Sequence, residues 1–377
     1  MNRPIKVLIV DDSALVRTML KEMLSSDPEI EVIGTASDPF DAREKIKKLR
    51  PDVLTLDIEM PKMDGVTFLK NLMRLHPLPV VMVSTLTEKG ADITFEAMDL
   101  GAVDFVSKPK IDLVNTFEAY TLEICLKVKT AARVSKSMLE RQYARYVANQ
   151  KDRPKLASSP ALPRSVPAKL TTDAVLPKLN TQLRHPKSAI KIIALGASTG
   201  GTEAIKEVLM RMPADTPAIV ITQHIPAAFS LPFAKRMDTV TEMRVFHAED
   251  GQKILQGHVY IAPGDKHLMI VRDGANYICR LNDGPPVNRH KPAVDVMFRS
   301  VVQNMGPNAI GVLLTGMGAD GAVGMKEMQE VGASTIAQDE KSSVVWGMPG
   351  EAVKIGAADY ILPLDKIPQK ILELAGR

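Results

Sequence analysis

Two cysteines in 377 residues, Cys125 and Cys279, stand far apart and outside any paired-ligand spacing. A disulfide framework or zinc ribbon therefore has little support, and both are expected as ordinary, mostly buried thiols. Long apolar runs are lacking too. The start, MNRPIKVLIVDDSA, offers four consecutive strongly apolar residues before two aspartates, which makes neither a signal peptide nor a membrane span. The expectation is a cytoplasmic protein with no direct membrane insertion. No sign of charge dominates: the net is +4, and its location removes the hint of a nucleic-acid partner. Residues 151–188 hold eight Lys/Arg and two Asp, a net of +6 that leaves the rest of the chain at −2. That stretch has six prolines, no glycine and no aromatic residue. It reads as an extended, semi-rigid tether, without the aromatics that a nucleic-acid arm interleaves among its charges. Internal repeats are absent. A chain this long and 45% hydrophobic exceeds one ordinary core, and the expected division is 1–130, a linker over 131–188, and 189–377.

What is present is alternation. Through residue 130 the apolar runs KVLIV, EVIGT, DVLTLD, PVVMVS and DFVSK are separated by segments of helical period. Five such units predict a doubly wound, flavodoxin-like parallel sheet, whose ligands sit beyond the carboxyl ends of the strands. The polar residues at those ends are Asp11 and Asp12, Asp57, Ser84 and Lys108. Three converging carboxylates repel one another unless a hard, oxygen-preferring cation lies between them. Magnesium is the one expected, with Asp12 and Asp57 as ligands. A lysine opposite suits phosphoryl transfer to a carboxylate: Asp57 attacks, the metal bridges phosphoryl oxygens, Lys108 neutralises charge and the Ser84 hydroxyl donates to the phosphoryl group. Any one of these residues alone is a strand-end cap; together they read as a site. Residues 1 to about 125 resemble a response-regulator receiver domain in VDDS, LDIEMPKMDG, VMVST and VSKP. The resemblance implies that Asp57 accepts phosphate from a histidine kinase. It also matches Phe105 to the family's rotating aromatic switch, without the hydroxyl often found there.

From residue 190 the alternation resumes, with IKIIAL, AIVIT, AIGVLLT and ASTIAQ as parallel strands, whereas residues 243–282 read as hairpins. A Rossmann-like α/β domain with a β-hairpin insertion is expected. At its start, LGASTGGTEA follows IKIIA as a strand running into a glycine-rich turn. The turn lacks the Gly-Lys-Ser/Thr ending of a phosphate-binding loop. It also lacks the glycine that a dinucleotide fingerprint needs where Ser198 stands, and the next strand ends in Gln223 and His224 rather than an acid. What remains is Gly196-Ala197-Ser198-Thr199-Gly200, a small-x-Ser-x-small turn that exposes a serine hydroxyl at the top of a sheet. Taken singly, Ser198 is a helix cap, His224 a polar strand end, and Asp320, in LLTGMGADGAVG, the cap of the following helix. Together they leave three strand ends of one sheet, the convergence that general-base activation of a hydroxyl requires.

LGASTGG, ITQHIP, YIAPGDKH, DGPPVNRHKPAVDVMF, TGMGADG and GMPGEAV resemble the catalytic domain of the CheB family, the chemotaxis protein-glutamate methylesterases and glutamine deamidases. With the receiver in front, the likeness covers nearly the whole chain except the tether. It implies Ser198 as nucleophile, His224 as base and Asp320 as orienting acid. Thr199, Gly200 and Met317 would lie near the oxyanion, and the loop of Arg289, His290 and Lys291 would face acidic receptor surface. It further implies a phosphorylation-activated hydrolase of methyl-accepting chemoreceptors, with a chemotaxis histidine kinase as phosphodonor, a receiver that covers the catalytic edge until phosphorylated, and no cofactor for the esterase step. A DNA-binding regulator would need a helix-turn-helix after the tether, and the sheet-forming sequence there has none. The remaining alternative is a non-enzymatic response-regulator adaptor.

Overall fold

The computed structural model describes residues 3–85, 88–108, 114–149, 170–178 and 191–376. The chain divides into two compact units, Met1–Val166 and Pro167–Arg377. In the first, strands β1 (Ile5–Val10), β2 (Ile30–Ala36), β3 (Val53–Asp57), β4 (Val80–Ser84) and β5 (Asp104–Ser107) make a parallel sheet in the order β2-β1-β3-β4-β5. Val7 to Val10 and Val80 to Val83 are buried without a break, as in strands packed on both faces. Strand order reverses between β1 and β3, and Asp11 and Asp57 emerge on either side of that point, where an open α/β sheet binds its ligand.

The expectation of a linker from residue 131 is corrected by the helix Lys136–Asn149, which packs against the helices Gly65–Leu75 and Glu88–Leu100. Leu139 is fully buried there, and Gln142 Nε2 donates to the Met98 carbonyl at 2.9 Å. Residues 151–169 and 179–190, which hold most of the basic, proline-rich stretch, lie outside the described residues.

In the second unit the strands are β6 (Ile192–Ala197), β7 (Ala218–Gln223), β8 (Arg244–His247), β9 (His258–Ile261), β10 (His267–Asp273), β11 (Asn276–Asn282), β12 (Ala309–Leu313), β13 (Ser334–Gln338) and β14 (Tyr360–Leu362). Seven form a parallel sheet in the order β14-β13-β12-β6-β7-β9-β8, and β10-β11 stands apart as an antiparallel hairpin. The reading of residues 243–282 as hairpins therefore holds only for β10 and β11. β8 and β9 join the parallel sheet although no helix connects them. Their connection runs instead beside β11, with Gly251 N donating to Cys279 O, Cys279 N to Gln252 O and Ile254 N to Tyr277 O. Those bonds satisfy the backbone of a crossover that has no helix of its own.

The second unit also begins earlier than expected. Residues 170–178 dock on it as a strap. Leu170 forms a parallel bridge with Val287, and Val175 and Leu176 pack against the cluster of Met269, Val287, Ala293 and Val296. Arg299, itself buried, binds Asp173 Oδ1 at 2.5 Å and the Leu176 carbonyl at 3.0 Å.

Candidate active site and phosphoacceptor pocket

At the receiver switch point Lys108 Nζ lies 2.7 Å from Asp57 Oδ2 and 3.5 Å from Asp11 Oδ2. Carboxylate oxygens of buried Asp11, exposed Asp12 and buried Asp57 come within 4.8 Å of one another. Burial pushes Asp57 up to about 6, assisted by the nearby Asp11 charge and opposed by the hydrogen bond from Lys108. Burial likewise raises Asp11 against the pull of Lys108, and Asp11 Oδ2 is buried without a hydrogen-bond donor. Three hard oxygen ligands, one of them orphaned, fit a divalent cation of magnesium's type. Ser84 sits buried at the expected strand end, yet its hydroxyl accepts from Thr94 Oγ1 at 2.9 Å and lies 3.4 Å from the Gly90 carbonyl and 3.3 Å from that of Thr85, so it is engaged mainly with the helix Glu88–Leu100. Phe105 is buried, edge-on to Phe95 with ring centroids 6.1 Å apart.

In the second unit, Ser198, His224 and Asp320 follow β6, β7 and β12, which are neighbours in the sheet. Ser198 N donates to the Thr315 carbonyl, and Gly201 N to the Ser198 carbonyl at 2.7 Å, so the turn is closed at both ends and the serine side chain is left partly exposed. Gly200 holds φ 74°, a left-handed conformation that glycine adopts without steric cost, and the helix Gly201–Leu209 starts immediately after it. Thr199 is buried, and its carbonyl accepts from Thr315 Oγ1. Gly316 presses against the serine: a side chain there would put its Cβ 2.8 Å from Ser198 Cβ. Partly exposed Met317 follows in the same loop.

His224 and Asp320 are already joined. His224 Nε2 lies 2.8 Å from Asp320 Oδ2, and both side chains are nearly inaccessible. Asp320 also accepts from Val294 N at 2.6 Å and Asp295 N at 3.2 Å, at the start of the helix Val294–Met305, and from Asn288 Nδ2 at 3.0 Å. Burial opposes its charge, but His224, the nearby His290 and Asn288 outweigh burial and hold this carboxyl well below the usual range. The other imidazole nitrogen, His224 Nδ1, is buried with no hydrogen-bond partner. Ser198 Oγ forms no hydrogen bond to it in this state, although the two residues adjoin, with His224 N bonded to the Ala197 carbonyl.

A family profile described as CheB methylesterase matches residues 193–371, and one described as response regulator receiver domain matches residues 7–118. The chain is 75% identical over 371 residues, 98% of each chain, to a protein-glutamate methylesterase/protein-glutamine glutaminase of Hydrogenovibrio crunogenus. The chain belongs to the CheB methylesterase family. A second relative, of the same name with the suffix 1, from Xanthomonas campestris pv. campestris, is 55% identical over 99% of this chain and 98% of its own. The Thermotoga maritima CheB methylesterase catalytic domain matches 49% of this chain and 98% of its own at 39% identity, with a TM-score of 0.48.

Sequence reasoning named Gln223 and His290 without their contacts in this CheB-family site and did not single out Asp295. Gln223 Nε2 binds the Ser198 carbonyl at 2.9 Å and the His224 carbonyl at 3.0 Å, tying the Ser198 turn to His224. His290 stacks face to face on His224, with centroids 3.7 Å apart and planes 10° apart. Asp295, buried beside Asp320, is raised above the usual carboxylate range by burial and then by the Asp320 charge. Of the basic loop, Arg289 is exposed at φ 73°, whereas Lys291 is paired with Asp283 at 2.8 Å. The signal available was the polar turn VNRH, whose φ of 52° at Asn288 favours Asn or Gly.

Proposed function

We propose that the chain hydrolyses glutamate γ-methyl esters on methyl-accepting chemoreceptors and deamidates specific receptor glutamines, with Ser198, His224 and Asp320 as its reacting unit. The observation that carries this reading is the His224 Nε2 to Asp320 Oδ2 bond of 2.8 Å, which leaves a buried, unpartnered Nδ1 on the residue beside Ser198. A histidine whose Nε2 proton is held by a carboxylate presents Nδ1 as the basic nitrogen. Ser198 Oγ attacks the γ-carbonyl as its proton passes to Nδ1, and Asp320 balances the imidazolium. Collapse of the tetrahedral species returns that proton to the departing methoxide, which leaves as methanol. Water then attacks the acyl-serine, losing a proton to Nδ1, and glutamate is released as Oγ is reprotonated. With a glutamine side chain the leaving group is ammonia and the steps are otherwise the same. The oxyanion lies near the Thr199–Gly200 turn, where the positive end of the helix Gly201–Leu209 and the Met317 loop stabilise it.

The receiver makes this activity conditional. Asp57 takes a phosphoryl group from a chemotaxis histidine kinase. A magnesium ion held by Asp11, Asp12 and Asp57 would neutralise the transferred group's charge. Lys108 stays on Asp57 and follows the added charge, and Ser84 must leave Thr94 to donate to the phosphoryl oxygens. The unphosphorylated receiver restrains the esterase, and phosphorylation shifts the population to the active form. Cytoplasmic location fits such partners, and no helix among the described residues is long and apolar enough to cross a membrane. Methanol release from methylated receptor membranes tests the reading: Ser198→Ala should abolish it and glutamine deamidation together while leaving Asp57 phosphorylation intact. Substantial release by Ser198→Ala would refute the serine assignment.

A further inference from the structure

We propose that Asn288 is a positioning residue for the acid of the triad, bridging Asp320 and Asp295 through its side-chain amide while the strap 170–178 holds its backbone in register. The inference rests on the reading of Ser198, His224 and Asp320 as the reacting unit. Asn288 Nδ2 donates one hydrogen to Asp320 Oδ1 at 3.0 Å and the other to Asp295 Oδ2 at 2.8 Å. Two buried carboxylates would otherwise face each other across this gap, and the amide is the group that binds both. Without it, Asp320 Oδ1 would keep only the longer bond from Asp295 N, 3.2 Å, and Asp295 Oδ2 would lose its bond from Asn288. The plane of the Asp320 carboxylate, and with it the direction of Oδ2 toward His224, depends on this bridge.

The backbone supports a role for the side chain. Asn288 has φ 52° and Arg289 φ 73°. Asparagine tolerates this left-handed backbone, and unlike glycine it also brings an amide to the two carboxylates. Asn288 N is in turn bound by the Leu170 carbonyl at 2.8 Å. The strap is fastened by Arg299, and Gln303 Nε2 holds the Pro177 carbonyl at 2.8 Å. Two residues beyond Asn288, His290 covers the face of His224. One turn thus fixes the acid with its first residue and packs on the base with its third. The segment that fastens the turn is the part of the chain leading in from the receiver.

The charges around the amide set the expected pH effect. His224 faces it from the end of β7, and His290 from the turn itself. Asp295 faces it from the helix Val294–Met305, Glu327 from the helix Ala322–Glu330, and His267 from β10. Removing a donor shared by two carboxylates favours their protonated forms. With one N–H dipole fewer beside Asp320, the negative charge facing the imidazole is less compensated and favours the imidazolium over the basic form, so the acidic limb of the kcat profile moves upward.

The test is the pH profile of methanol release by the full chain for the wild type, Asn288→Gly, Asn288→Asp and Ser198→Ala. Glycine and aspartate both accept the turn's left-handed backbone and keep the N–H to Leu170. Asn288→Gly is expected to lower kcat by roughly 10-fold or more, as loss of a hydrogen bond to a charged group does, with KM changed less than about 2-fold and the acidic limb raised. Asn288→Asp, which adds a third carboxylate, should move the limb further. A wild-type kcat and limb in Asn288→Gly overturns the proposal. So does a rate loss with an unmoved limb in both variants, which would mark a merely structural residue. Ser198→Ala tests the underlying reading separately: if it still releases methanol the triad assignment fails, whereas if it is inactive and Asn288→Gly is normal, only the present inference fails.

Discussion

At the residue scale, Ser198 and His224 drew notice because each stands where an apolar run stops, and Asp320 because it lies in the glycine-rich loop that follows one. Ser198, His224 and Asp320 follow strands whose inner residues are buried, and a polar residue there has a sheet edge to serve. Asn288, Asp295 and Gln223 carry no such mark. Their roles are hydrogen bonds made mostly across the fold, to residues from seven to 32 positions away, and the amino-acid types permit many others. Ser84 shows the limit from the other side: its place was legible, its bond to Thr94 was not. Two outcomes follow from the site's bonding. His224→Ala should be nearly as damaging as Ser198→Ala, since nucleophile and base fail as a unit. Asp320→Ala should leave more residual rate, because it orients and stabilises the histidine, but it should also destabilise the domain. The N–H groups of Val294 and Asp295 and the Asn288 amide would lose their acceptor, and each unsatisfied buried donor costs about 1–3 kcal/mol. Urea denaturation alongside methanol release separates the two effects.

In the receiver, magnesium should raise the melting temperature of the wild type by relieving the repulsion among Asp11, Asp12 and Asp57, and chelation should reverse it. Saturation at 100 times Kd corresponds to about 2.7 kcal/mol. Asp57→Asn should reduce that response and eliminate stimulation of methanol release by a phosphodonor, with basal turnover little changed. Persistent stimulation would show that Asp57 is not the acceptor.

At the element scale, the continuous apolar runs of β1, β4, β6 and β7 were readable because a parallel strand buried on both faces has no polar side to confuse the pattern. The pair β8 and β9 was misread because ten residues with no helical period separate them, which suggests a hairpin when no other support for a crossover is visible. That support comes from β11, distant in sequence. The strap was hidden for a similar reason: among prolines and lysines its anchors are single residues, Leu170, Asp173, Val175 and Leu176. Arg299 joins that strap to Glu327 by two hydrogen bonds, 2.9 and 2.7 Å, with both side chains buried. Arg299→Ala should therefore destabilise the second unit by about 3–5 kcal/mol, since it leaves Glu327 buried without its principal partner. Replacing both by apolar residues of similar volume should cost less. Urea midpoints of the single and double variants decide this.

At the scale of the whole molecule, length and the basic, proline-rich stretch were enough to foresee two cores and a connection. The edges of that connection were not legible, because the helix Lys136–Asn149 and the strap are stabilised by partners elsewhere in each unit. This matters for dissection. A fragment starting near residue 189 would lack the strap that binds Asn288, whereas one starting at Pro167 contains the whole compact unit. The central claim, a serine esterase restrained by its own unphosphorylated receiver, is tested most directly by the initial rate of methanol release from methylated receptor membranes, measured at equal active-site concentration. The rate is compared for the intact chain without phosphodonor, the intact chain with phosphodonor, and the fragment 167–377. The account predicts that the fragment and the phosphorylated chain are both faster than the unphosphorylated chain, and that separately added receiver slows the fragment. A folded fragment no faster than the unphosphorylated chain would contradict it.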